Sequence, residues 1–366
     1  MTTPAARNAL AAAVVEGFNA HPQGSLIRNA ATTLTLHDWG GVHLPVSVNA
    51  GEPNGTFLCS PRVAWTDFIR AELPQFPDRR LVPAIRAVVR GIEHLTRRAE
   101  LDRIVHVNNW MLSTNLPAPV DPALCRQQTA ELADRFPGYI LAFRSLTERH
   151  SGALMAGLRD AGWLFLPARQ VFLLDDVARD GLTRRDSRND ARLWARGRFR
   201  LDMPVSLTEA EAERIAELYA RLYLEKYTPL NPQFTPRYVR FAQQVGLLRF
   251  FVLRDEAGVI QAAGGLHHSD TDAAMPFLGY NTALDPKLGL YRLACHASSL
   301  EAARLGLRLN MSSGVARFKR SRGATGEIEY TAFHVRHLPG RRRRPFAALD
   351  LIARRIGIPL LRRHDL

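Results

Sequence analysis

Asn310-Met-Ser-Ser-Gly-Val-Ala-Arg-Phe-Lys-Arg-Ser-Arg-Gly323 is a basic segment held between two apolar-patterned elements. Before it, Leu290, Leu293, Ala297, Leu300 and Ala303 recur at helical spacing, which predicts a helix over 289–305. Gly306 is placed to end that helix in a left-handed conformation. Residues 307–311 then read as a short strand, and 327–335 as a second, alternating strand rich in aromatics. The basic segment is therefore expected to be a loop after a strand, the kind of place where a rigid scaffold carries chemistry. It contains Lys319, one of three lysines (with Lys226 and Lys287) in a chain holding 46 arginines. A lysine retained in such a chain suggests a need for a compact ammonium on a flexible stem rather than a planar guanidinium.

Working outward, 248–253, 259–267 and 275–280 read as a strand meander, with Asp255-Glu-Ala-Gly258 as its first turn. Two helices, 206–223 and 236–245, precede it. The first half has the same rhythm: short strands at 33–44 and 57–59 around a polar loop, 49–55, a helix opened by Pro83, and a strand at 103–107. A helix at 127–135, a strand at 139–143, a helix at 151–161 and two strands, 163–166 and 170–174, complete it. Residues 175–200 are densely charged, and Arg185, Arg188, Arg192 and Arg196 share one helical face. These patterns predict an α+β protein built as two mixed sheets flanked by helices. The units are placed at 1–180 and 181–340, with a basic tail at 341–366.

At 46% hydrophobic and 23% charged, the composition is that of a globular domain protein, without an apolar run long enough to span a bilayer. The N-terminus lacks the pattern of a secretory signal, and Cys59, Cys125 and Cys295 are too widely spaced for a metal motif or disulfide framework. A cytoplasmic location and no metal are expected. The net charge is +14, and residues 317–366 supply 13 Lys and Arg against 4 Asp and Glu. That cluster suggests a polyanionic partner: coenzyme phosphates, tRNA or anionic lipid.

The second half resembles the GNAT acyltransferase superfamily, in particular its double-domain branch with the Fem-type aminoacyltransferases and FemAB-like acetyltransferases. The resemblance rests on the meander, on the helix from Gly289, and on Gly314, Phe318-Lys319-Arg320 and Gly323. Residues 139–174 resemble a degenerate first repeat. The resemblance implies tandem GNAT-like domains and a transferase that forms an amide from an acyl-CoA or aminoacyl-tRNA donor. It also implies a functional role for Lys319. Coenzyme-A-dependent relatives hold pyrophosphate on a glycine-rich turn opening the long helix. Here that place reads Leu284-Asp-Pro-Lys-Leu-Gly289, with one glycine where the pattern has more, which tilts the expected donor toward aminoacyl-tRNA.

Acyl transfer to an amine passes through an oxyanion and releases a proton. Lys319 is the expected catalytic group, with Tyr280 as a proton relay and His267 or His268 as a base. Glu329 and Tyr330 lie on the strand that follows. Donor contacts are expected from Lys287, Gly289, Arg317, Arg320 and Arg322, the arginines gripping phosphate or carboxylate. A small amine acceptor is expected at Asn108, Asn109, Trp110 and Ser113, in a polar stretch running to Asn115. Two other readings compete with this one: an acyl-CoA-dependent N-acetyltransferase, and a non-catalytic RNA- or membrane-binding protein. In the second, Arg341 to Arg344 with Phe346, Leu349, Ile352 and Ile356 would form a basic amphipathic helix on anionic lipid.

Overall fold

The computed structural model describes residues 3–76 and 78–364. Eleven strands form one continuous sheet, ordered β1-β2-β3-β4-β11-β5-β10-β9-β8-β7-β6. In chain order they are β1 (Thr33–Trp39), β2 (Val42–Ala50), β3 (Arg103–Val107), β4 (Ile140–Leu146), β5 (Leu164–Leu174), β6 (Arg200–Asp202), β7 (Arg249–Arg254), β8 (Ile260–His268), β9 (Asp272–Tyr280), β10 (Arg308–Asn310) and β11 (Thr325–His334). Helices α1 (Pro4–Asn19), α2 (Pro61–Trp65), α3 (Asp67–Glu72), α4 (Val82–Arg98), α5 (Cys125–Arg135) and α6 (Glu148–Asp160) belong to the first half. Helices α7 (Arg185–Trp194), α8 (Glu209–Ala220), α9 (Pro236–Gln244), α10 (Leu290–Arg304), α11 (Ala316–Arg320), α12 (Gly340–Ile352) and α13 (Ile358–His364) follow. The α+β class and the mixed strands flanked by helices are as the sequence patterning predicts, but the two expected sheets are joined in one.

The two halves repeat one plan. In each, an antiparallel meander ends in a strand paired in parallel with the next: β3 with β4, and β9 with β10. Each parallel pair is bridged by a helix, α5 or α10, as a parallel connection requires. Each half then sends its last long strand across to the other. β5 pairs with β10, β11 pairs with β4, and the two exchanged strands pair with each other at the sheet centre. We retain the boundaries at 180 and 340 as a proposal about repeat units, with each unit completed by a strand of the other.

Several local expectations change. Residues 57–59 form a turn rather than a strand, because Asn29, Asn54 and Thr56 hydrogen-bond the backbone around them into a coil. The two strands expected within 163–174 are one, interrupted only by a register shift opposite Glu329 and Tyr330. The basic segment carries a helical turn, α11. The tail is not free: α12 turns Phe346 and Leu349 into a core with Ile104, Ile140 and Phe333. Arg342 is buried there and donates to the carbonyls of Ala99, Gly138 and Glu100. The apolar side expected to meet lipid at Phe346 and Leu349 is thus spent on the protein interior, where burying such side chains gains most. Among the described residues no helix is long and apolar enough to cross a membrane.

Candidate active site

β10 pairs with β9 over three residues only, from Arg308 opposite Asp272 to Asn310 opposite Ala274. β9 then runs on to Tyr280, while the chain after Asn310 bends toward β5, exchanging backbone hydrogen bonds with Phe172 through Met311 and Ser312. The strands part, and Ser113 and Thr114 of the first half reach in between them, to Pro276 and Ser312; this splayed region is the candidate cleft. The bend is tightly coiled: Ser312, Gly314 and Val315 all have positive φ, at 60°, 79° and 45°. For β-branched Val315 that backbone costs about 1–3 kcal/mol, a strain typical of functional loops.

The bend aims two carbonyls at one amine. Lys319 Nζ donates to the oxygens of Ser313, at 2.7 Å, and Ser312, at 3.1 Å. Its ammonium lies 5.5 Å from the centre of the Phe172 ring. Lys319 is 4% exposed. Burial lowers its pKa from the usual lysine range to about 7, and the Arg169 charge pushes the same way. A lysine poised there exchanges its proton near neutral pH.

A polar chain leads from this loop into the first half. Thr114 Oγ1 donates to Ser312 Oγ at 3.3 Å and accepts from Arg169 Nη2 at 3.0 Å. Arg169 also donates to the Ser113 carbonyl at 2.8 Å and grips Glu329 through two nitrogens, at 2.9 and 3.2 Å. On the other side stands an aromatic wall. Tyr280 lies 6.2 Å from Tyr291, which lies 4.9 Å from Phe318. Burial raises the pKa values of Tyr280, Tyr291 and Tyr223, so these phenols are protonated at neutral pH. The thiols of Cys59, Cys125 and Cys295 are also raised by burial, to about 12, 11 and 11, which removes a thiolate nucleophile.

The sequence-derived candidates divide. Lys319 and Ser113 are linked through Ser312, Thr114 and Arg169, and Tyr280 is linked to the Lys319 turn through Tyr291 and Phe318. His267 makes none of those contacts: its ring packs 5.6 Å from Trp110 and its Nδ1 is taken by the Leu247 carbonyl at 2.9 Å. Burial lowers its pKa to about 4 and holds it neutral. His268, next to it, is exposed. Asn108 and Asn109 shape their own loop. Asn108 donates to the Leu116 carbonyl and accepts from the Trp110 indole, and Asn109 donates to Ser47 Oγ and the Leu58 carbonyl.

The donor-side candidates divide too. Arg322 is buried, stacked on Phe318 and bonded to Asp190 at 2.6 Å, so it is committed to structure. Arg292 bonds the other oxygen of Asp190 at 2.6 Å, which pins α7 across the start of α10. Gly289 caps α10 with φ of 69°, and Leu193 of α7 lies over it: a Cβ there would stand 2.5 Å from Leu193 Cδ2. Lys287 and Arg317 are exposed, and Arg320 lies over the Phe172 ring. Sequence reading missed Arg169, whose only signal was an arginine breaking an apolar run, and Asp190, one acid within an arginine-rich helix. A cavity of about 660 Å³, lined by His21, Arg28, Glu209, Glu213, Arg237 and Arg240 among others, shares no residue with this cleft.

No protein family and no curated protein matches the chain in sequence. Among solved structures, FemX is similar at 10% identity and a TM-score of 0.48, over 65% of this chain and 84% of FemX. The L-PGS of Bacillus licheniformis is similar at 15% identity and a TM-score of 0.46, over 69% and 83%. A tandem GNAT protein from the clavulanic acid biosynthesis pathway is similar at 12% identity and a TM-score of 0.38, over 65% and 76%. Likeness at this level concerns layout, and layout does not dictate chemistry.

Proposed function

We propose that the cleft at Lys319 forms an amide, transferring an acyl or aminoacyl group from an activated donor to an amine. The observation that carries this reading is the buried Lys319 ammonium, fixed by two carbonyls and poised near neutrality. The acceptor amine attacks the donor carbonyl, the carbonyl oxygen takes up negative charge, and the Lys319 ammonium stabilises it. Removing one such donor costs about 10²–10³ in rate. Collapse of the intermediate expels the donor's oxygen or sulfur, and the amine's proton leaves through the polar cleft, where Tyr280 can relay it.

Between donors, aminoacyl-tRNA is favoured over acyl-CoA. Leu193 and α7 lie where a pyrophosphate would approach the amides of the first turn of α10. Asp285 accepts from the Lys287 amide in the preceding turn and adds negative charge there. Arg185, Arg188 and Arg192 project from exposed positions of α7, suited to a nucleic acid backbone. A non-catalytic binding protein on this scaffold would fill its cleft with apolar side chains, whereas Lys319, Arg169, Glu329 and Thr114 are polar.

The test is to incubate purified protein with charged tRNA, and separately with acyl-CoAs, over a panel of amines, and to read products by mass spectrometry. Amide formed from charged tRNA and lost in Lys319→Ala is the expected result. Amide formed only from acyl-CoA overturns the donor assignment, and no amide from either donor overturns the reading.

A further inference from the structure

Arg144 lies at an irregularity in the sheet. Ala332 of β11 pairs with Phe143, but Tyr330 pairs with Leu146, so Thr331 alone faces both Arg144 and Ser145. Ser145 takes up the extra residue with φ of 60°, and its Oγ accepts from the Asn115 amide at 3.2 Å. Bulges of this kind re-aim side chains and concentrate beside active sites. The guanidinium so placed is half-buried and lies 5.9 Å from the centre of the Phe57 ring. Nη1 makes only two long contacts, 3.3 Å to the Leu58 carbonyl and 3.4 Å to Asn109 Oδ1. Among the described residues it has no ion pair; the acid nearest in influence, Glu329, is held by Arg169. Burial pulls the Arg144 pKa down to about 10, the sign of a cation short of a counter-charge.

A second observation comes from the adjacent strand. His106 of β3 is fully buried, and neither ring nitrogen has a partner among the described residues. Its register partner is Ala142, two residues before Arg144, so strand alternation sets His106 and Arg144 on one face. The same face is apolar lower down, where Ile104, Ile140 and Phe333 pack together. At the ends of the parallel strands, where ligands of such sheets gather, it carries Ser47, His106 and Arg144. Buried polar groups are nearly always satisfied, so the unpartnered His106 imidazole, on one face with a half-buried guanidinium that lacks a counter-ion, marks a place kept for something else.

We infer that Arg144, with His106 behind it, receives an oxyanion of the acceptor, a carboxylate or a phosphate ester. The inference rests on the proposed amide-forming reaction for the word acceptor, while the anion site stands on its own geometry. Asn109 joins Arg144 to the loop whose Thr114 reaches Ser312 beside Lys319, so an acid held here would tether an amine at the cleft. The site selects acceptors that carry an acidic group in addition to their amine.

The test is thermal melting of the full chain with increasing inorganic phosphate or sodium acetate, each matched in ionic strength with sodium chloride. Wild type should show a saturable rise in Tm with at least one of the two, and which one responds separates a phosphate ester from a carboxylate. Arg144→Gln should abolish that rise while leaving the anion-free Tm unchanged or higher, since it removes a cation that has no counter-ion and keeps an amide donor for the Leu58 carbonyl. Arg144→Lys should keep part of it. The inference is overturned if neither anion acts on wild type beyond chloride, or if Arg144→Gln keeps the full rise. It is also overturned if Arg144→Gln lowers the anion-free Tm or fails to fold, because the guanidinium would then be structural. Amide formation is assayed in parallel: an intact anion effect without any transfer faults the proposed reaction alone, and transfer without an anion effect faults this site alone.

Discussion

The two parallel strand pairs end very differently. Beyond β3 and β4, the chain from Asn108 to Asn115 folds back on itself, with Asn109 bound to Ser47 and Leu58 and Asn115 accepting from the Trp110 amide. Beyond β9 and β10, the chain bends away through strained residues and leaves a lysine facing an aromatic wall. The same local plan yields a plug in one half and a cleft in the other. The difference is what each loop is built around: Asn109 ties the first to its own half of the sheet, whereas the second wraps two of its carbonyls around a buried lysine. Arg144 is the exception in the plugged half, and there the sheet itself is irregular.

The contrast is open to direct challenge. The largest effect is expected at Asp190, the acid that ties both Arg292 and Arg322 beside the open cleft. Asp190→Ala leaves a buried guanidinium uncompensated and should cost about 3–5 kcal/mol in chemical denaturation. A loss below about 1 kcal/mol would mean that α7 is not pinned by this pair.

Next comes Lys319→Ala, expected to lower turnover about 10²-fold, with Lys319→Arg restoring only part. Turnover at saturating substrates should also fall as pH rises through about 7, because the active form is the ammonium. Stability should move the other way. The folded pKa is depressed, so between about 7 and the ordinary lysine value the unfolded chain binds more protons, and stability gained from this residue rises with pH. Lys319→Met should remove that slope, and a slope that persists would place the titration elsewhere.

In the plugged half, Asn109→Ala strands Ser47 Oγ in the interior and should cost about 1–3 kcal/mol. If it lowers acceptor affinity without changing stability, the plug is a binding loop and the comparison fails. The smallest effect is expected from Arg341, Arg343 and Arg344, exposed on α12. Their joint replacement by Gln should shift stability by less than about 0.5 kcal/mol at each position. Loss of tRNA binding in that variant would return the polyanion contact to the tail.

Much of this was legible in the chain. Helix α10, the meander β7 to β9 and the basic segment follow from spacing and turn residues, because an amphipathic period is local information. Lys319 stood out by rarity and position. What the sequence alone determined was which residues make helices, which make strands, and where positive charge gathers. Only the tertiary structure decided that β5 and β11 change places, which joins the halves in one sheet, since a strand's partner is set by packing far along the chain. It also decided which arginines are spent. Arg322 and Arg342 look in the chain like their exposed neighbours, yet each is buried against acceptors far away in sequence, at Asp190 or at Ala99 and Gly138. A charged side chain's role depends on what the fold sets opposite it, because an ion in the interior must find a counterpart there.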